Sequence, residues 1–60
     1  MIKLYVYDFE NLKHIATIIG DSESICESAA IREYVNSDCG WTFDPRGLVI
    51  NPNPRIINVE

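Results

Sequence analysis

Histidine and cysteine are scarce in this chain: His14, Cys26 and Cys39 are the only three among 60 residues. A closed zinc site needs about four such ligands, so three widely spaced ones argue against it within one chain. His14 has no serine or cysteine beside it, and a Cys–His nucleophile pair using Cys26 or Cys39 has no flanking motif. His14 reads as a half-exposed strand residue. The three glycines form no phosphate-cradling loop or dinucleotide fingerprint, and no EF-hand loop is present. No cofactor is expected, and the chain reads as non-enzymatic.

Positive charge is also sparse. Five Lys+Arg stand against nine Asp+Glu, at scattered positions 3, 13, 32, 46 and 55. Phosphate affinity comes mainly from such side chains, so direct nucleic-acid binding is not expected. No window approaches the roughly 18 to 20 apolar residues of a membrane span. The opening MIKLYVYDFENL is interrupted by Lys3, Asp8 and Glu10 and does not read as a secretory signal. These features predict a soluble, intracellular protein with no membrane partner. In a reducing cytosol Cys26 and Cys39 are expected as thiols, with a disulfide left open because small domains often need staples.

What the chain does have is apolar content, 47% of its residues, with a modest net charge of −4. That composition predicts a folded chain, read as a single domain over residues 1–60 with a thin core and no deep cleft.

Residues 2–7, IKLYVY, predict a strand with Ile2, Leu4 and Val6 on one face and Lys3, Tyr5 and Tyr7 on the other. Asp8 to Leu12 fits a hairpin loop, followed by an antiparallel strand from Lys13 to Ile19 that ends where Gly20 permits a sharp change of direction. Gly20 to Ser24 offers several helix caps, and Ser24-x-x-Glu27 matches the capping-box spacing. The helix is expected from about Ser22 to Val35, with Ile25, Cys26, Ala29, Ala30 and Tyr34 along one side. Ile31 and Val35 fall on another side. Asn36-Ser37-Asp38 closes the helix. Trp41-Thr42-Phe43 and Leu48-Val49-Ile50 flank a type I turn signal, Asp44-Pro45-Arg46-Gly47, which predicts a second hairpin. Pro52 and Pro54 stop that strand, and Arg55 to Val59 is β-like again. The fold expected is α+β, a small antiparallel sheet with one helix packed on one face, in the order β-β-α-β-β with a possible fifth strand.

Both faces of the first two strands carry large apolar side chains, although one helix can cover only one face. Tyr5, Tyr7, Ile15 and Ile19 are therefore left for a partner, a second copy or the chain's own terminal strand. Trp41 reads as core, and as the first candidate anchor if exposed. The acids are uneven: residues 1–30 hold five acids and two bases, residues 31–60 four and three. Asp21, Glu23 and Glu27 form a negative spot without a base. The candidate partner-binding residues are thus Tyr5, Tyr7, Asp21, Glu23, Glu27 and Trp41, with no catalytic, cofactor or metal residue. A homodimer is the alternative.

The run Ala16-Thr17-Ile18-Ile19-Gly20-Asp21-Ser22, then Cys26-Glu27, then Gly40-Trp41-Thr42-Phe43-Asp44-Pro45 resembles short uncharacterised proteins encoded by bacteriophages and prophages. The similarity covers roughly residues 4 to 45. It implies an accessory protein in the cytoplasm of a bacterial host, one that binds and inhibits or redirects a host nucleic-acid-processing or defence complex. It brings no catalytic residue with it.

Overall fold

In the computed structural model, which describes residues 1–35 and 37–59, the elements are β1 (Ile2–Asp8), β2 (His14–Gly20), α1 (Glu23–Tyr34), β3 (Cys39–Thr42) and β4 (Arg55–Asn58). They form the α+β domain expected, a four-stranded sheet with a single helix, in the sheet order β3-β1-β2-β4. The sheet is mixed, which corrects the antiparallel expectation. β1 runs antiparallel to both β2 and β3, while β4 lies parallel to β2 on the far edge.

The predicted second hairpin does not form. Leu48 to Ile50 crosses to the other edge, where Val49 makes a single parallel bridge with Lys13. The reason lies at the start of β2: the N–H of buried His14 donates to the Val49 carbonyl, and Val49 N–H donates to the Leu12 carbonyl just before the strand. Leaving the His14 N–H without a partner would cost about 1–3 kcal/mol, whereas the short β3 edge can bond to water. Pro52 and Pro54 cannot donate to a ladder, so pairing resumes only at Arg55, opposite Ala16. The turn after β3 also sits one residue later than its signal. Leu48 N–H bonds to the Pro45 carbonyl, and Gly47 takes the left-handed φ of 89° that the turn needs.

The core lies between one sheet face and α1. Leu4 and Val6 from β1, Ala16 and Ile18 from β2, and Cys26, Ala29 and Ala30 from α1 are fully buried. Each buried Leu, Ile or Val contributes about 1.5–3 kcal/mol. The two small alanines let the helix backbone approach the sheet. Around this centre pack Ile2, Ile15, Tyr34, Trp41, Phe43, Ile57 and Val59. Ile15 is therefore not left over. A β-bulge between the Val6–Ala16 and Tyr7–His14 pairs makes Ile15 the extra residue and breaks the two-residue alternation there.

Helix α1 starts at Ser22, whose hydroxyl accepts the Ile25 N–H at 3.3 Å. Ser24 lies inside the first turn, so the predicted Ser24–Glu27 box does not form. Gly20 is needed for close approach rather than for a bend: a Cβ there would meet Val59, Cys26 and Ile25 side chains at 3.0–3.2 Å. Beyond the helix, Asn36 lies outside the described residues, and Ser37 N–H bonds back to the Tyr34 carbonyl. Ile31 and Val35 are exposed. No helix among the described residues is long and apolar enough to cross a membrane.

Candidate protein-docking surface

The face of the sheet opposite α1 carries no second layer among the described residues. By register it presents Lys3, Tyr5 and Tyr7 from β1, Thr17 and Ile19 from β2, Gly40 and Thr42 from β3, and Ile56 and Asn58 from β4. Tyr5, Tyr7 and Ile19 are half-buried and Ile56 is 51% exposed. Among the described residues no acid occupies a register position on this face, although the chain has nine Asp+Glu.

The tyrosines are fixed by their neighbours. Tyr7 is paired with Gly40 and lies across it: a Cβ on Gly40 would stand 2.7 Å from the Tyr7 Cζ and Oη and 2.8 Å from the Phe9 ring. Phe9 meets Tyr7 edge-on at a centroid distance of 5.8 Å. Tyr5 contacts the His14 ring in the same manner at 5.4 Å. Edge-to-face pairs of this kind add about 0.5–1.5 kcal/mol beyond area burial.

His14 is only 2% exposed, not half-exposed as its strand position suggested. The bulge turns it onto the face beside Thr17, and the 49–51 segment closes over it. The Asn51 N–H donates to Nδ1 at 3.4 Å, so Nε2 carries the proton and donates to Thr17 Oγ1 at 2.7 Å. Both ring nitrogens are occupied in the neutral form. The arrangement ties the Asn51 loop to β2.

The six candidate residues fall in three places. Tyr5 and Tyr7 share the open face. Trp41 sits opposite Val6 on the helix side, half-buried against the core, and is not an exposed anchor. Asp21, Glu23 and Glu27 are exposed around the start of α1. Tyr5 and Glu23 link two of these places, because both line a shallow cavity of about 340 Å³ with Met1, Ile2, Lys3, Phe43 and Pro45. A second cleft, about 490 Å³, lies between α1 and the end of β4, lined by Ser24, Ile25, Ser28, Arg32, Asn58 and Val59.

The sequence reading missed a rim of exposed apolar residues at the hairpin end, Phe9, Leu12, Val49 and Ile50. Two apolar residues within the polar loop Asp8–Leu12 were the available signal. Leu12 also has a positive φ of 56°, a conformation that costs a branched side chain about 1–2 kcal/mol.

Cys26 and Cys39 are free thiols. Burial pushes the Cys26 thiol above its ordinary range, while a backbone hydrogen bond at Gly20 opposes this in part. Burial, then the charges of Asp8 and Asp38, push Cys39 up as well. Neither is poised as a thiolate. Among the described residues no three His, Cys, Asp or Glu side chains converge as metal ligands. Compared with known proteins, the chain matches no family model, no curated protein and no solved structure.

Proposed function

We propose that the chain is a non-enzymatic protein-binding module that meets its partner with the open face of the sheet, centred on Tyr5 and Tyr7. The observation that carries this reading is a β-sheet face of tyrosine, isoleucine and threonine on which no helix or strand packs among the described residues, the 49–51 segment covering only its His14–Thr17 corner. A solvated face ordinarily alternates to charged residues. Here the charge is placed elsewhere, and the face keeps aromatic groups of the kind enriched in protein interfaces. With the resemblance to phage and prophage products, the partner proposed is a host nucleic-acid-processing or defence complex, which the chain would inhibit or redirect. A nucleic acid itself is a poor fit, because among the described residues Lys3 is the single base at a register position on the face, and an overall charge of −4 opposes phosphate.

The test compares the intact chain with a Tyr5→Lys/Ile56→Lys variant whose fold is checked by circular dichroism. The intact chain is expected to retain a stoichiometric protein from bacterial lysate, and the variant to lose it. Capture of nothing, or of the same protein by both, defeats the reading. A homodimer closed through the same face is the second reading, favoured by the lack of acids there, since two copies would bring together only Lys3 and its counterpart. Light scattering separates the two: a monomer at high concentration rejects the dimer.

A further inference from the structure

β1 has seven residues and β3 only four, so β3 pairs with Tyr5 to Asp8 and leaves the start of β1 without a neighbour on that side. The strand is peeled away by its own turn. Thr42 Oγ1 accepts the Asp44 N–H at 3.1 Å and donates to the Asp44 carbonyl at 3.2 Å, and Pro45 follows.

The hydrogen-bond parity of β1 shows which groups this exposes. Asp8 N–H donates toward β2, to the Lys13 carbonyl at 2.9 Å, and Phe9 N–H toward the β3 side, to the Asp38 carbonyl at 3.3 Å. In an antiparallel strand this alternates residue by residue, so even-numbered main-chain groups face β2 and odd-numbered ones face β3. The N–H and C=O of Lys3 therefore point into the space that β3 has vacated. That space is the cavity of about 340 Å³ walled by Ile2, Lys3, Tyr5, Glu23, Phe43 and Pro45.

We propose that this notch takes one extended segment of another protein, added as a strand beside Ile2–Leu4 in line with β3. The proposal rests on the protein-binding reading and names a second contact for it. Main-chain bonds to Lys3 would supply the affinity, and alternate side chains the selectivity. The residue opposite Lys3 shares its face, where an acid completes a cross-strand pair. Its two neighbours turn toward Ile2 and Phe43, where apolar side chains fit. The segment is thus apolar–acidic–apolar. A second copy of β1 is the wrong occupant, because a two-fold pairing about Lys3 sets lysine against lysine.

The probe is the peptide acetyl-Thr-Val-Glu-Val-Thr-amide, titrated to millimolar concentration into the ¹⁵N-labelled full chain. The Lys3 amide is expected to shift and its hydrogen exchange to slow about tenfold at saturation. The Val-Lys-Val analogue should bind more weakly, and the analogue N-methylated at the central residue not at all. Lys3→Pro should also abolish binding, and proline is tolerated there because that N–H lies outside the β1–β2 ladder. Unchanged Lys3 exchange, or equal binding by the N-methylated peptide, overturns the proposal, and that control does not depend on any variant folding. Partner capture sensitive to Tyr5 and Ile56 but no peptide binding would remove the notch and leave the docking face.

Discussion

Leu12 occupies the one left-handed position among the described non-glycine residues, and its side chain is exposed. Replacement by asparagine, which tolerates that conformation, should stabilise the fold by about 0.5–1 kcal/mol, read as a higher urea midpoint with an unchanged slope. Gly40→Ala should act in the opposite direction. Its Cβ would collide with the Tyr7 and Phe9 rings, at a cost of about 1–3 kcal/mol, and Tyr7 fluorescence should report the displaced ring. The two thiols give a pH dependence. A thiol whose folded pKa is raised keeps its proton after the unfolded chain begins to lose it, so above the ordinary value of 9.0 the fold binds more protons. Stability is complete below that pH and falls as the pH rises further. Cys26→Ala should flatten the decline in thermal midpoint between pH 8 and 10.5, and an unchanged slope would assign it to other groups. The buried state of Leu4, Val6, Cys26, Ala29 and Ala30 was readable from spacing alone. The burial of His14 was not, because it depends on a bulge and on a loop 37 residues away in sequence.

At the scale of the element, α1 separates two serines that look alike in sequence. Ser22→Ala removes the hydroxyl that accepts the Ile25 N–H and should cost about 1 kcal/mol, whereas Ser24→Ala should be near neutral. Equal effects of the two would refute this cap assignment. The start of the helix also carries Asp21, Glu23 and Glu27, exposed and without a basic neighbour in sequence. If the partner is basic, changing all three to alanine should weaken the complex and reduce its salt dependence, seen as a smaller loss of affinity between low and high salt. The first two strands and the helix were legible because period and capping are local signals. The second hairpin was misread because Leu48-Val49-Ile50 has equal β propensity on either edge. The choice between edges is made by the unmet groups of β2, which no local pattern records.

For the molecule as a whole, one helix over four strands leaves the opposite face of the sheet with no helix or strand packed on it among the described residues. The expectation that the second face lacks a cover came from counting apolar residues on both sides of β1 and β2. Its particular membership did not, since Ile15 turned inward and Ile56 arrived from the far end of the chain. The lack of acids on that face was also hidden in the linear charge count, which recorded only that the first half is richer in them. Register is what sorts the charges.

The parallel pairing of β2 with β4 has a kinetic consequence. Ala16 meets Arg55 only by closing the long loop of chain between them, and that closure entropy is lost before any ladder bond compensates it. Collapse of the β1–β2 hairpin onto the helix is local and fast by comparison, so β2 would wait with one flank bare while its last neighbour searches. In refolding, amide protection at Ile18, whose main chain faces β1, should run ahead of protection at Ile19, whose main chain faces β4, and the interval between them is when this small chain is most open to sticking to its own kind.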